Sequence, residues 1–384
     1  MQNLLIPWSD NWWIEKGKAW FCAGEIGALF CVNMSNQQCE CVGWIPGCSV
    51  IQYRQYSNCI KHGRYIFCLP GYGKGIWYYD SEKSVWDKIS INDQNRIWTC
   101  INAHVSDNSR IWIQDEYIGK IYEINLEQKV LEKEYIVPQY SRESVGEYIF
   151  VEDKIYSALG DRICCIDIKK ATLNLYSIYG IQGRLHTIVY DGSDFWLSGY
   201  CKEIYIWNPE QGIKDIVKLS SSEIELLPDM QMPLFLTSIS LGRYIWYIPF
   251  KTNEIIYVDK VTHQFFSLQI ENEYQSYEEI DNNLINHKYL VEYVDRDRYI
   301  GIYSLKNQSI FEIDTVSLCV KSKRYALGTA TMKILAEKCY EQVEVMSEKN
   351  DVERALFTAI FDVHREKKEK IQSNIGDMVF QRVK

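Results

Sequence analysis

A short aromatic and aliphatic run that ends on a single Asp or Asn occurs seven times in this chain. The seven terminal residues are Asn33, Asp80, Asn125, Asp167, Asn208, Asp259 and Asp314. Successive ones lie 47, 45, 42, 41, 51 and 55 residues apart. A period of this length, carried by strands rather than helices, is typical of the blades of a β-propeller. The repeat therefore predicts an all-β fold, a seven-bladed β-propeller, over residues 1–327.

Each period contains up to four runs of strand-forming residues, which we name strands a to d in chain order. Strand b carries an aromatic pair, as at residues 65–68 and 244–248, and strand c is the run that ends on Asp or Asn. Clusters of Gly, Pro, Asn and Asp separate the runs, as expected for hairpin turns. The terminal Asp or Asn can accept a hydrogen bond from its own backbone two residues on, which would begin the turn into strand d.

The closure of the last blade has two solutions in the sequence. Residues 319–325 can supply strand d of blade seven, or residues 4–8 can pair there as a swapped strand. The pattern of residues does not choose between them.

Charge and composition restrict the partners and the location. The 384 residues carry a formal net charge of -9, which disfavours nucleic acid because phosphate binding requires a basic field. No positively charged leader with a long apolar core begins the chain, and no uncharged apolar stretch approaches a membrane span. The thirteen cysteines are therefore expected to stay reduced. These features predict a cytoplasmic protein without a membrane partner.

The pattern changes near residue 328. Apolar residues recur at three- and four-residue steps from Met332 to Met346 and again from Val352 to Val363, which predicts two amphipathic helices. Residues 328–384 are accordingly predicted as a C-terminal α-helical appendage. Its apolar faces must be covered. They either pack on each other or on the propeller, or they form an arm for a partner or for a homo-oligomer through residues 331–363.

Three b–c loops suggest a binding face. In a propeller these loops share one face with the d–a loops, and here each carries an aromatic residue beside a lysine. The pairs are Tyr72 with Lys74, Tyr200 with Lys202, and Phe250 with Lys251. Aromatic faces with cationic donors suit sugars or anionic groups. The alternative is that hairpin tips carry such residues only for solubility.

A second set of candidates lies on strand a. Arg184 and His186 are two residues apart, so they would face the same side of a strand, and His104 occupies the comparable strand of blade three. Histidine can act as an acid or base near neutral pH. The alternative is a structural histidine that bonds a neighbouring backbone group.

The sequence offers little support for a metal ion, a cofactor or covalent catalysis. The densest cysteine cluster, from Cys39 to Cys59, has the spacing C-x-C-x6-C-x10-C and lacks paired C-x2-C knuckles. The glycine-rich residues 71–75 precede a strand rather than a helix, so they do not form a phosphate loop. No G-x-S-x-G elbow is present. We therefore predict no metal and no cofactor.

Residues 183–200, GRLHTIVYDGSDFWLSGY, resemble the blade unit of NHL and streptogramin-lyase-like propellers. Residues 62–67 and 241–246 resemble the same unit more weakly. This resemblance, within a superfamily that includes kelch-like propellers, implies the fold. The chain also resembles uncharacterised cytoplasmic propellers of low-GC Gram-positive bacteria. The catalytic histidine of the lyase branch maps onto His186. The Glu-x-His of that branch has no counterpart in the next blade, and the Gly-Gly pair of kelch repeats is absent.

Three functions are compatible with these features. The leading hypothesis is a scaffold that binds a protein or a small polar or carbohydrate ligand on its b–c and d–a loop face, with the helical tail for docking or oligomerisation. The alternative is an enzyme, a lyase or epimerase acting on a sugar or small polar metabolite with His186 as acid or base. The third is a structural subunit of a larger complex.

Overall fold

The computed structural model describes residues 9, 11–24, 26–48, 55–89, 104–106, 109–115, 120–136, 145–170, 172–220, 233–250, 252–275, 279, 288–295, 298–304, 306–307, 309–328, 330–331 and 334. The chain divides into two compact units. Unit 1 comprises residues 1–101, 308–310 and 322–384, and unit 2 comprises residues 102–307 and 311–321.

Unit 1 contains the sheets of blades one and two. Their strands are β1 (Trp13–Glu15), β2 (Lys18–Cys22), β3 (Ala28–Asn33), β4 (Gln38–Trp44), β5 (Tyr56–His62), β6 (Tyr65–Pro70), β7 (Trp77–Asp80) and β8 (Val85–Lys88). In each blade the four strands follow one another across the sheet in chain order, with antiparallel pairing.

Unit 2 contains blades three to six and most of blade seven. The strands of blades three to five are β9 (His104–Ser106), β10 (Arg110–Asp115), β11 (Lys120–Asn125), β12 (Val130–Ile136), β13 (Val145–Val151), β14 (Lys154–Leu159), β15 (Arg162–Asp167), β16 (Thr172–Ser177), β17 (Leu185–Tyr190), β18 (Phe195–Gly199), β19 (Glu203–Asn208) and β20 (Gly212–Lys218). Those of blades six and seven are β21 (Phe235–Leu241), β22 (Tyr244–Pro249), β23 (Ile255–Asp259), β24 (Phe265–Leu268), β25 (Tyr289–Asp295), β26 (Tyr299–Ser304), β27 (Ser309–Asp314) and β28 (Val320–Lys323).

These sheets confirm the all-β, seven-bladed propeller. In unit 2, blades four to six meet mainly through their first strands, as β13 meets β17 and β17 meets β21. Strand a is therefore the inner strand of these blades. In unit 1, blade one meets blade two mainly through β2 and β5. Because aromatic and branched side chains fit a half-buried pleated surface, strands b and c form the packed layers between blades. Trp112, Trp196 and Trp246, all on strand b, are almost completely buried.

The structure shows which segment supplies strand d of the last blade. Residues 320–323 form β28, the outer strand of blade seven, as the first solution predicted. The chain then continues into β29 (Ala326–Leu327), which pairs in parallel with β4 on the outer edge of blade one. No pattern of residues predicted this two-residue strand. Residues 4–8 lie outside the described residues.

The repeated Asp or Asn forms the same turn in every blade. In each case its side-chain Oδ1 accepts a backbone N–H two or three residues later, as predicted. The donors are Ser35 (3.0 Å), Glu82 (3.1 Å), Gln128 (2.8 Å), Lys170 (2.9 Å), Glu210 (3.0 Å), Val261 (2.9 Å) and Val316 (3.0 Å). The residue four positions after the Asp or Asn has a positive φ in six of these turns. Those residues are Gln37, Ser84, Lys129, Gly212, His263 and Leu318.

The C-terminal appendage is not shown by the structure. Residues 335–384 lie outside the described residues, so the two amphipathic helices and the oligomerisation arm at residues 331–363 stay predictions. Within the described part of the chain, no helix has both the length and the apolar character that a membrane span requires.

Candidate ligand-binding site

The b–c loops place the predicted binding residues at one end of the blades. In blade two, Tyr72 is half-buried and Lys74 is exposed. In unit 2, Tyr200, Lys202 and Phe250 are half-buried. Lys251 lies outside the described residues, so the aromatic and lysine pair of blade six is seen only in part. Whether these loops bind a ligand stays a prediction.

A β-bulge shapes the inner strand at this same end. In blade five, Leu185 pairs with Gly199 and Thr187 pairs with Ser198, so His186 is an extra residue without a partner in the ladder. Blades two, four and six have a corresponding irregularity near the start of strand a. The extra residue bends the strand and changes the direction of its side chains. The sequence patterns used above did not predict these bulges.

The bulge separates the two strand-a candidates. Arg184 precedes β17 and is exposed, whereas His186 is half-buried within the bulge. The alternation of side chains along a regular strand therefore does not apply to this pair, and a shared face for Arg184 and His186 stays a prediction. Arg184 is instead linked to the b–c loop, because its carbonyl oxygen accepts the N–H of Tyr200 at 3.0 Å.

Gly199 makes this close approach possible. A Cβ atom at this position would lie 1.8 Å from the carbonyl oxygen of Arg184 and 2.8 Å from the Cα of Leu185. Only glycine lacks that atom, so the end of β18 can press against the start of β17. As a result, the backbone of Arg184 and that of Tyr200 are held together at the loop end of blade five.

His186 is oriented by a backbone group of the next blade. Its ring hydrogen-bonds the backbone of Leu236, which favours the protonated ring and identifies the carbonyl as the acceptor. Burial outweighs that bond and lowers the pKa of His186 to about 4. The ring is therefore neutral at pH 7, with one nitrogen occupied. This arrangement matches the structural alternative for His186, while its place in a ligand site stays a prediction.

The principal polar group of the inner strands is Glu147, which the sequence analysis missed. It lies in the bulged part of β13 and reaches two further blades. Its carboxylate accepts the hydroxyl of Thr237, and the hydroxyl and N–H of Ser238 at 3.1 and 3.3 Å. It also accepts the N–H of Ile188 at 3.3 Å. The inner strands of blades four, five and six thus converge on one carboxylate.

The surroundings of Glu147 place its titration near neutral pH. Burial raises the pKa of Glu147 to about 7, although its hydrogen bonds from Thr237, Ser238 and Ile188 act in the opposite direction. The side chain still has some surface open to water. A carboxyl group with this pKa exists in both protonation states at pH 7, so it can either accept or donate a hydrogen bond.

A buried hydroxyl lies near this carboxylate. Tyr247 is completely buried, and its OH has no hydrogen-bond partner in the part of the chain that the structure describes. Burial raises the pKa of Tyr247, and the nearby Glu147 carboxylate raises it further. Buried hydroxyl groups without a partner are uncommon in folded proteins. The inner strands of blades four to six therefore hold an incompletely satisfied polar cluster.

A buried polar network fixes the loops of blades six and seven at the same end. Lys288 is fully buried and donates to Asn253 Oδ1 and to the carbonyl oxygen of Glu273 at 2.6 Å. The carboxylate of Glu273 accepts the hydroxyl of Ser304 at 2.8 and 2.9 Å and the amide of Asn307. Burial lowers the pKa of Lys288 to about 8. This network ties two b–c loops to the d–a segment between them.

Some sequence signals for the bulges were present. Gly199, Pro70 and Pro249 each stand at the end of strand b, opposite the residue that precedes a bulge. Proline cannot donate to the ladder, and both residue types are found where a sheet is interrupted. For Glu147 no local signal exists, because its partners lie 41 to 91 residues away.

The structure says little about the remaining predicted site residue, His104, and about a metal site. His104 belongs to β9 and pairs with Ile113, but its side chain lies outside the described residues. Among the described residues, no group of three or more His, Cys, Asp or Glu side chains is arranged to hold a metal ion. The absence of a metal and of a cofactor stays a prediction.

Comparison with known proteins supports the fold and does not assign a family. The chain matches no protein-family model and no curated protein sequence. Its fold is similar to the computationally designed protein Ika8, with a TM-score of 0.54, 10% identity, and coverage of 84% of this chain and 87% of that one.

Two enzymes with natural functions also share the fold. The dihydro-heme d1 dehydrogenase NirN, in complex with DHE, has a TM-score of 0.53 and 14% identity, over 84% of this chain and 67% of its own. Streptogramin B lyase has a TM-score of 0.51 and 12% identity, over 71% of this chain and 84% of its own. Such low identities establish a shared propeller fold and no shared activity.

Proposed function

We propose that this propeller binds a small polar ligand, such as a carbohydrate, at the loop-face ends of the inner strands of blades four to six. The observation that carries this proposal is the convergence of three inner strands on Glu147, beside the unpaired hydroxyl of Tyr247. Polar groups of this kind fix the orientation of a ligand in an otherwise apolar setting.

The surrounding groups suit a ligand with several hydroxyls. Glu147 can accept or donate, and Thr237 and Ser238 add hydroxyl groups. Arg184 and Tyr200, whose backbones are hydrogen-bonded at the loop end of blade five, are the residues we propose to add a guanidinium group and an aromatic ring. A hydroxyl that both donates and accepts can use each of these partners.

Saturation-transfer NMR on the full chain tests this proposal with a defined panel of glucose, galactose, N-acetylglucosamine and glucuronate. We expect at least one member to bind, and Glu147→Gln to weaken its affinity about tenfold through the loss of a charged acceptor. Arg184→Ala is expected to act in the same direction.

Glu152→Gln is the matched control, because Glu152 is an exposed residue that follows the other end of the same strand. It should leave the affinity unchanged. Failure of the whole panel to bind, or equal affinity for wild type and Glu147→Gln, would contradict the proposal.

An enzymatic function is the second candidate, and for it we propose Glu147 rather than His186 as the acid–base residue. A pKa of about 7 suits proton transfer at neutral pH, whereas the neutral, backbone-bonded ring of His186 is a weak base. Turnover of a bound ligand that disappears in Glu147→Gln and persists in His186→Ala would support this candidate. The opposite result would return the role to His186.

A further inference from the structure

A separate cleft lies at the other end of blades five and six, where the a–b and c–d turns are found. It has a volume of about 250 Å³. The residues that line this turn-end cleft include three acidic residues (Asp191, Asp194 and Asp215), three basic ones (Lys214, Lys260 and His263) and two apolar ones (Trp196 and Ile206). The cleft begins at Asp191, just after β17 (Leu185–Tyr190), whereas Glu147 contacts the middle of that strand at Ile188.

Asp191 is a structural residue of this cleft. One of its carboxylate oxygens accepts the N–H groups of Ser193 and Asp194 at 2.7 and 2.9 Å and the hydroxyl of Ser193 at 3.0 Å. The other accepts the indole N–H of Trp196 at 2.7 Å. Burial would raise the pKa of Asp191, but these hydrogen bonds outweigh it and lower the pKa. The carboxylate therefore remains ionised and fixes the indole ring.

The other two acidic residues of the cleft hold cationic side chains in place. Asp194 is buried, and its Oδ2 accepts the ammonium group of Lys214 at 2.6 Å. Asp215 lies 2.5 Å from Nδ1 of His263, whose ring meets Trp196 edge-to-face with 5.5 Å between ring centres. Lys214 and His263 are therefore each held in place by a carboxylate of the cleft.

These contacts leave unused donors. Among the described residues, Lys214 donates to Asp194, and Lys260 donates to the carbonyl oxygen of Gly242 at 2.7 Å. An ammonium group has three N–H donors, so both lysines keep some for another partner. The second ring nitrogen of His263 can also bond a ligand, because only Nδ1 is bonded to Asp215. Asp215 accepts from His263 and from the N–H of Ile216, and its carboxylate has further lone pairs.

The balance of charge favours a neutral ligand. Three carboxylates face two lysines and one histidine, so the net charge is -1 with a neutral imidazole and zero with a protonated one. Trp196 and Ile206 supply an apolar floor beneath these polar groups. The volume lies slightly below the range of roughly 300 to 1,000 Å³ typical of drug-sized ligands. It therefore suits a molecule of about one sugar ring.

We propose that the turn-end cleft is a second binding site, which takes a neutral polyhydroxylated molecule the size of a monosaccharide or cyclitol. The hydroxyls accept from Lys214 and Lys260 and donate to the remaining lone pairs of Asp215. The second ring nitrogen of His263 accepts from a hydroxyl when the ring is neutral and donates to one when the ring is protonated. The C–H groups of the ring pack on Trp196. This site is independent of Glu147.

Fluorine NMR of the full chain labelled with fluorotryptophan provides a local test. The probes are glucose, mannose, galactose and myo-inositol, each up to ~50 mM, which covers millimolar dissociation constants. We expect one of them to shift a single indole resonance in a saturable way. Lys260→Ala should perturb that same resonance in the free protein and weaken the affinity about tenfold.

Lys83→Ala is the matched control, since Lys83 is an exposed lysine in the c–d turn of blade two. It should leave both the resonance and the affinity unchanged. Glu147→Gln should also have no effect, which separates this site from the one proposed above. The proposal is overturned if no probe gives a saturable shift, or if Lys260→Ala, shown to be folded by circular dichroism, binds as tightly as wild type.

Discussion

The two ends of the blades use acidic side chains in opposite ways. At the turn end an Asp or Asn recurs in every blade and binds its own turn, as Asp314 does with the N–H groups of Val316 and Ser317 at 3.0 and 3.2 Å. Arg298 pairs with the same carboxylate, and this hydrogen bond is the main cause that lowers the pKa of Asp314. At the loop end, Glu147 occurs once, joins three blades, and has a raised pKa because it is buried.

This difference separates the structural role of the turn residues from the binding role proposed for Glu147. The turn residues are repeated because each blade needs the same turn, and the environment of Asp167, Asp259 and Asp314 lowers their pKa and favours the ionised form. Glu147 is not repeated, and its environment disfavours ionisation. Perturbed ionisable groups of the latter kind concentrate at functional sites. The repeat thus identifies which acidic residues serve the fold.

The largest expected effect on stability is at the turn end. Asp259 is buried and binds the N–H groups of Val261 and Thr262 at 2.9 and 3.1 Å, as well as Arg243. Asp259→Ala should lower the free energy of unfolding by about 2 kcal/mol, because the turn N–H groups lose their acceptor and Arg243 loses its partner. Urea denaturation measures this change.

Asp259→Asn is the control for that variant. It keeps the amide oxygen that accepts the turn N–H groups and loses only the charge, as at Asn208 in blade five. We expect less than half of the loss seen for alanine. Equal losses for the two variants would assign the stability to the ion pair with Arg243 instead of the turn.

The next effect concerns the loop end and its dependence on pH. The pKa of Glu147 is about 7 in the folded chain, against about 4.3 for an unfolded one. Since the folded state holds the proton more tightly, stability falls as the pH rises from the unfolded pKa through the folded one. Allowing for partial exposure, the difference in unfolding free energy between wild type and Glu147→Gln should fall by about 2 kcal/mol across that window.

Denaturation with urea at several pH values gives this difference directly. The difference in unfolding free energy between wild type and Glu152→Gln should change little over the same pH range, because Glu152 is exposed. A wild-type stability that rises relative to Glu147→Gln over this window would show that the hydrogen bonds, and not burial, dominate at Glu147.

The smallest expected effect concerns the residue with a positive φ in the c–d turn. Ser84 has a φ of 56°, and in blade five the equivalent position is Gly212 with a φ of 77°. Ser84→Gly should stabilise the chain by about 0.5 kcal/mol, because relief of left-handed strain is partly offset by the greater entropy of unfolded glycine. Thermal denaturation is the measurement. Lys83→Gly, at the preceding position without a positive φ, should destabilise it.

Much of the fold was predictable because its signals are local. The seven runs that end on Asp or Asn form strand c of the seven blades, and ALFCVN coincides with β3 from Ala28 to Asn33. The hydrogen bond from each terminal Asp or Asn spans two or three residues. Such short-range chemistry is contained in the residue types themselves.

The candidate sites were less predictable because their partners are distant in the chain. His186 was expected to share a strand face with Arg184, but one extra residue in the ladder removed the alternation on which that expectation depended. Glu147 gave no signal, since its importance comes from Ile188, Thr237 and Ser238 in two other blades.

The sequence by itself determined the number of blades, the place of most strands and the turn that ends each strand c. These features repeat with the chain and depend on neighbouring residues. Only the tertiary structure decided which inner-strand side chains meet, how β29 joins blade one, and that a cleft opens between blades five and six. Those features require residues far apart in the chain to come together, which the period of the repeat does not specify.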